Sequence, residues 1–353
     1  MTNPKFKVVV QRPEGTKSLF GSNTYEMERD ALDPIGAEII EIDAATEEEF
    51  VDAARDADAV IGHNRRISEN IIAHLERCRV IGLGSVGADT VDVDAATTHG
   101  IVVTNVPDIF IEEVADHTMA MFLAAFRRLP EMHKMTIDGR WSDGRPLLSE
   151  FPRLWGQTIG LISFGNVAKA VARRCHAFGL RVVAYDPYLS ELEMSSVDVE
   201  PESSLLPLLR RSDFVSMHAP LNSETRHMLT TRHFEEMKQS AIFINNGRGP
   251  TVDELALIEA LRGGQISGAA LDVFETEPVA ADNPLLSMDN VLCSPHVASA
   301  SDRMRPEALR RMGREIATVL TGRWPRSAVN PGVLPKTDLT RWQPYPQTRG
   351  PNR

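Results

Sequence analysis

Cysteine is scarce in this chain: three residues in 353, Cys78, Cys175 and Cys293, with no CxxC pair and no Cys/His cluster. That scarcity excludes a disulfide framework and a thiolate metal centre. The thiols read as small buried hydrophobes in a reducing compartment, so a cytoplasmic location and no metal are expected. Positive charge is also in short supply. Lys and Arg number 38 against 49 Asp and Glu, and the net charge of −11 argues against nucleic acid as a partner. No apolar run reaches the roughly 18 residues of a membrane span, and the first apolar stretch is too short for a signal peptide. Extended low-complexity tails are missing as well, which gives little sign of a scaffold protein.

What is present is ordinary globular material, 42% hydrophobic and 25% charged, long enough for two domains with ample core. Residues 157–186 organise it. Thr158–Ile162 is a short apolar run suited to a strand buried on both faces. Small and apolar side chains at Val167, Ala168, Val171, Ala172, Cys175 and Phe178 then recur at helical spacing, Gly179 fits the helix C′ position, and Arg181–Tyr185 reads as a second buried strand. The intervening Ser163-Phe164-Gly165-Asn166-Val167-Ala168 occupies the place of a dinucleotide turn, G-x-G-x-x-G/A. A helix N-terminus offers unpaired N–H groups to a pyrophosphate, and Gly165 leaves the clearance. Asp186 ends the second strand, eighteen residues past Ala168 (186 − 168), where a carboxylate can accept the ribose hydroxyls and repel a 2′-phosphate. NAD is therefore expected rather than NADP. Ser163 stands at the first glycine position, so the turn must either avoid a positive φ or carry strain.

Strand and helix alternate on both sides of this unit. Upstream strands are predicted at 6–11, 38–42, 59–62, 80–82 and 101–103, with helices from a Thr46 capping box through Arg55, and at 68–77 and 91–99. Downstream strands fall at 214–218, 241–245, 266–270 and 291–293, which gives six parallel strands in the dinucleotide domain. Two long helices, 112–129 and 301–321, flank that domain; the first is apolar around most of its circumference. The fold class predicted is α/β, with two doubly wound parallel-sheet domains and a cleft between them. The first would comprise 1–108 and 300–331, the NAD-binding domain 109–299, and 332–353 an arm or disordered tail.

Three candidates for chemistry stand at strand ends, where open α/β sheets bind ligands. Arg248 lies between two glycines in Asn245-Asn246-Gly247-Arg248-Gly249, which suggests a sharp bend presenting a guanidinium to a carboxylate. Glu277 follows strand 266–270 and His296 follows strand 291–293. A lone His or Glu is ordinarily structural or solvated, but a carboxylate beside an imidazole fixes its tautomer and favours a proton donor. Reduction of a 2-keto acid needs a hydride, a proton and an anchor for the acid; a nicotinamide, His296 and Arg248 would supply them.

The ordered set comprising the 158–186 unit, His218-Ala219-Pro220-Leu221, Asn246-Gly247-Arg248-Gly249, Asp272-Val273-Phe274-Glu275-Thr276-Glu277-Pro278 and Ser294-Pro295-His296 resembles the D-isomer-specific 2-hydroxyacid dehydrogenases. Ser85-Val86-Gly87-Ala88-Asp89 and Thr104-Asn105-Val106-Pro107 do too, so the likeness covers roughly residues 5–331. The resemblance implies that Arg248 anchors the substrate, that His296 is the acid/base paired with Glu277, and that N–H groups near Val86 and Gly87 bind the carboxylate. It implies NAD held by Gly165, Asn166, Val167 and Asp186, with Ala219, Pro220, Thr225, Asn246, Gly247, Arg248, Asp272, His296 and Ala298 also around the cofactor. Asp272 would lie near the nicotinamide amide. A homodimer through helix 112–129 and a small 2-keto or 2-hydroxy acid as substrate follow from the same likeness. Glu277 and His296 argue against formate dehydrogenases, which resemble the family but place Gln where Glu277 stands. The sequence past the last helix is too short for the regulatory domain of the long serine-biosynthesis type. Arg65 and Arg66, in the loop after strand 59–62, read as solvated charges rather than as contacts for a second anion on a larger acid. The competing expectation is an NAD(H)-sensing protein like the C-terminal binding corepressors, which share the fold and triad and which Glu112–His117 also resembles.

Overall fold

The structure, a computed structural model, describes residues 5–12 and 25–341. The chain divides into two compact units, one of Met1–Ile109 with Asp302–Arg353 and the other of Phe110–Ser301. In the first, hereafter unit 1, strands β1 (Phe6–Gln11), β2 (Ala37–Ile42), β3 (Ala59–Ile61), β4 (Val80–Gly82) and β5 (Val102–Thr104) form a parallel sheet in the order β2-β1-β3-β4-β5. Helices α1 (Glu26–Leu32), α2 (Glu47–Ala54), α3 (Glu69–Ala73) and α4 (Val93–Thr98) run between the strands. Each of the last three starts on a side-chain cap, the first of them the one expected from sequence. Thr46 forms a full capping box with Glu49, Ser68 accepts from Ile71 N–H, and Asp92 accepts from Ala95 N–H.

In unit 2, α5 (Ile111–Phe126) and α6 (Leu129–Ile137) precede a parallel sheet of seven strands: β6 (Thr158–Ile162), β7 (Arg181–Tyr185), β8 (Glu200–Pro201), β9 (Phe214–Met217), β10 (Ile242–Asn245), β11 (Gly268–Leu271) and β12 (Val291–Cys293). Their order is β12-β11-β10-β9-β6-β7-β8, and helices α7 (Asn166–Ala177), α8 (Glu191–Ser195), α9 (Leu205–Arg211), α10 (Thr231–Glu235) and α11 (Glu254–Arg262) connect them. The two-residue β8 makes seven strands where sequence predicted six. It carries no periodicity signal, and Pro201 at its end can make only part of a ladder. Two core clusters fill this unit, one around Phe122, Phe164 and Phe214, the other around Phe234 and Phe243.

The helix predicted over 112–129 stops early. Arg128 takes a left-handed conformation (φ +50°), and α6 restarts at Leu129 with Pro130 in its first turn. Only Glu112, Asp116 and Ala120 of α5 are exposed; Ala115, Thr118, Met119, Met121, Phe122 and Phe126 are buried and the rest half-buried, so the helix is covered around most of its circumference.

The chain returns to unit 1 in α12 (Met304–Leu320), which lays Leu309, Met312 and Ile316 on the sheet. Asn330 then ties the following segment to the β5 edge: its Oδ1 accepts from Val103 N–H (2.9 Å), and its Nδ2 donates to Thr97 Oγ1 and Ile101 O. Residues 332–341 of the expected arm or tail are packed, with Val333 fully buried and Leu339 8% exposed; 342–353 lie outside the described residues. No described helix is long and apolar enough to cross a membrane.

Candidate active site

The turn between β6 and α7 forms as the sequence predicts, with strain where Ser163 replaces glycine. Ser163 has φ +68°, a left-handed conformation costing a non-glycine residue about 1 kcal/mol. Two contacts hold it there: its N–H donates to Tyr185 O (2.8 Å) and its hydroxyl to Asp186 Oδ2 (3.2 Å). The same oxygen accepts from Phe164 N–H (2.8 Å), and Asp186 Oδ1 accepts from Tyr188 N–H (2.9 Å). Asp186 therefore bridges the ends of β6 and β7 and keeps lone pairs for a ligand hydroxyl. Gly165 is the N-cap of α7, no side chain caps that helix, and a Cβ added at Gly165 would meet nothing within 4 Å. Open space in front of the uncapped N–H groups of Asn166, Val167 and Ala168 suits a pyrophosphate. These residues fit a dinucleotide, and sequence had singled them out for that reason.

After β9, burial lowers the His218 imidazole to about 4, and Ser216 Oγ lies 3.0 Å from its Nε2. Ala219 is buried. Thr225 braces the next loop, its hydroxyl bonding Pro220 O (2.5 Å) while its N–H donates to Asn222 Oδ1 (3.0 Å). After β10, the Asn246 amide is buried 3.1 Å from the Thr118 hydroxyl of α5, so its side chain faces the core. Asn245 bends the Gly247–Arg248 loop instead: its Oδ1 accepts from Gly247 N–H (3.0 Å) and its Nδ2 donates to Arg248 O (3.1 Å).

The two glycines beside Arg248 act differently from the sharp bend expected. Arg248 is extended (φ −139°, ψ 130°), and neither glycine has a positive φ. Gly249 instead permits close approach. A Cβ there would lie 1.8 Å from Phe274 O, so only glycine lets the Arg248 loop rest on the 272–277 loop. That second loop is folded by Glu277, whose Oε1 accepts from Phe274 N–H (3.0 Å). Glu277 Oε2 meets His296 Nδ1 at 2.7 Å. Burial pushes the Glu277 carboxyl up, but the bonds from His296 and Phe274 and the charges of His296 and Arg248 outweigh it and hold it below the ordinary carboxylate range. Arg248 is near enough for its charge to be felt at this pair.

His296 has φ +52°, another left-handed residue, with its side chain 46% exposed. A hub that sequence reasoning assigned to the cofactor holds its backbone. Asp272 is fully buried; its Oδ1 accepts from Ser294 Oγ (2.5 Å) and Val297 N–H (3.0 Å), its Oδ2 from Ala298 N–H (2.8 Å), and its backbone carbonyl from His296 N–H (2.8 Å). His117 of α5 stands behind, Nε2 3.1 Å from Ser294 Oγ. Three bonds to the carboxylate, one of them from Ala298 N–H, thus hold the loop that carries His296. His117 and Ser294 were missed as functional residues; the only signal was their place inside the quoted stretches Glu112–His117 and Ser294-Pro295-His296.

In unit 1, the loop after β4 presents Val86, 43% exposed. Asn105 Nδ2 donates to Val86 O (2.6 Å) and Ser85 Oγ to Gly87 O (2.8 Å), while the N–H groups of Val86 and Gly87 have no acceptor among the described residues. Two such donors in one turn suit an oxyanion. Arg65, expected as a solvated charge, is tied to Gln11 Oε1 and the Ala44 carbonyl.

Residues 119–298 match the family model described as D-isomer specific 2-hydroxyacid dehydrogenase, NAD binding domain. The chain is 37% identical over 312 residues to a D-3-phosphoglycerate dehydrogenase of Methanocaldococcus jannaschii, covering 87% of this chain and 59% of that protein's length. It is 36% identical to a glyoxylate reductase of Korarchaeum cryptofilum, covering 81% of this chain and 86% of that one. Among solved structures, an NADPH-dependent glyoxylate/hydroxypyruvate reductase from Sinorhizobium meliloti, in complex with NADP and malonate, superposes with a TM-score of 0.76 at 30% identity, over 93% of this chain and 97% of that one.

Proposed function

The chain belongs to the D-isomer-specific 2-hydroxyacid dehydrogenases, and from that premise we propose that it interconverts a small 2-keto acid and its D-2-hydroxy acid. It is a nicotinamide-dependent dehydrogenase; the substrate and the residue roles are what we propose. A bound nicotinamide supplies the hydride to C2 of the acid. The His296–Glu277 pair carries the reading. With Nδ1–H donated to Glu277 Oε2, His296 Nε2, which has no partner among the described residues, is left to give its proton to the carbonyl oxygen. In the reverse direction it takes that proton back. Arg248 orients the acid through paired N–H donors. Asp272, Ser294 and His117 are positioning residues that fix the His296 backbone. Asp186 favours NAD over NADP, since its carboxylate suits the ribose hydroxyls and repels a phosphate.

Absorbance of NADH, then of NADPH, followed with glyoxylate, hydroxypyruvate, pyruvate and longer 2-keto acids, tests this. Turnover of at least one acid with NADH preferred is expected. NADH binding without oxidation by any of them would reject it in favour of a sensor, a reading that no feature of the site favours.

The homodimer is part of the same proposal. Leu129, Ile137, Trp141, Leu148 and Trp155 are large apolar side chains exposed just after α5, a surface that a second copy would cover. Sedimentation equilibrium at micromolar protein should give twice the 39.1 kDa chain mass; a monomer there would reject the dimer. Three unpaired thiols, at Cys78, Cys175 and Cys293, support a cytoplasmic setting.

A further inference from the structure

A cavity of about 310 Å³ opens in unit 1 along the C-terminal half of α12. Three arginines of its lining, Arg314, Arg323 and Arg326, are exposed and have no acidic partner among the described residues. The lining contains one carboxylate, Glu315, which is buried and committed elsewhere. Its Oε1 accepts from Arg311 Nε (2.5 Å) and its Oε2 from the backbone N–H of Arg326 (2.9 Å). Arg311 is paired with both Glu315 and Asp108, whereas the other three guanidiniums have no carboxylate within ion-pair distance among the described residues. Two of those three grow from fixed backbone. Arg326 is held by the bond to Glu315, and Arg323 lies in a bridge with Thr340. The remaining wall comes from Ala31, Ile35 and Ala317 and from Thr318 and Thr321, whose hydroxyls donate to the carbonyls of Arg314 and Ala317.

On a chain of net charge −11, three like charges around one concavity run against the general field and repel one another unless an anion lies between them. Guanidinium forks match planar oxyanions, and the volume lies at the small end of small-molecule sites. We propose that this cavity binds a small organic acid carrying at least two negative charges, phosphorylated or polycarboxylic, between Arg314, Arg323 and Arg326. None of these residues belongs to the nicotinamide or acid/base constellation, so the site is a second one and stands independently of the function proposed above.

Calorimetric titration of the NADH-saturated protein at low ionic strength, with pyrophosphate and separately with citrate, tests it. At least one probe should bind with a Kd below about 1 mM, and Arg314→Gln combined with Arg323→Gln should weaken it by roughly tenfold or more while NADH affinity is unchanged. Arg248→Gln should leave it intact. Tighter pyrophosphate would assign the phosphorylated class, tighter citrate the polycarboxylic class. No heat with either probe, equal affinity in the double variant, or loss in Arg248→Gln would each overturn the proposal. Should the double variant lose NADH affinity, Arg326→Gln alone carries the same expectation and the same refutation.

Discussion

Replacing His296 with alanine is expected to lower kcat/KM for keto-acid reduction by roughly 10²–10⁴-fold, the range for loss of a positioned general acid, while NADH affinity stays within a few-fold. Steady-state kinetics beside a fluorescence titration of NADH reads both quantities. Because His296 occupies φ +52°, alanine there adds a backbone cost of about 1 kcal/mol that has nothing to do with proton transfer. His296→Asn separates the two effects, since asparagine tolerates that conformation but cannot protonate the carbonyl oxygen. Equal activity losses in the two variants mean the imidazole itself is needed; recovery of turnover in His296→Asn would refute the acid/base role. The pH dependence follows from Glu277. Its carboxyl is held below the ordinary carboxylate range, so it is ionised across neutral pH and protonates only as pH falls through that lowered value. Activity lost through Glu277 protonation should appear only below the usual carboxylate range, and in Glu277→Gln that acid-side step should vanish while the neutral-pH rate is already reduced.

Replacing Arg248 with alanine is expected to raise KM and lower kcat together, by on the order of 10²–10³-fold in kcat/KM. Removing one partner of a desolvated charge pair costs about 2–5 kcal/mol, and the same fork that binds the acid also orients the carbonyl for attack. Lysine should not rescue it, because a single ammonium cannot reproduce two parallel donors. Arg248→Ala with normal kinetics would exclude the anchoring role. The extended backbone at Arg248 and the close approach at Gly249 give this variant a clean reading. Asn245 and Thr251 bond Arg248 through its backbone carbonyl, so removing the side chain costs the loop its Nη1 bond to Gly247 O (3.0 Å) but leaves these two in place.

The parts of this protein that could be read from sequence are those encoded locally. The β6–α7–β7 unit showed in a short apolar run, a helical repeat and a terminal carboxylate, and the Thr46 capping box showed in four consecutive residues. The two-sheet α/β class followed from strand and helix alternation. Features set by contacts between distant segments did not show. Asp272 looks like a cofactor ligand when read by resemblance, whereas the contacts that bury it come from Ser294, Val297 and Ala298, with His117 of α5 behind Ser294. The role of Gly249 depends on Phe274, twenty-five residues away (274 − 249), so its flanking position suggested a bend where the fold needed clearance. The break at Arg128 interrupts an apolar pattern that gave no local stop beyond Pro130. Ser163 was legible only as a dilemma, and the fold resolves it by accepting a positive φ and tying the hydroxyl to Asp186.

The most direct measurement uses NADH deuterated at both C4 positions with hydroxypyruvate or pyruvate, followed by mass spectrometry and chiral separation of the product. Deuterium on C2 of the D-hydroxy acid is the predicted result. An unlabelled product, or the L isomer, would contradict the account.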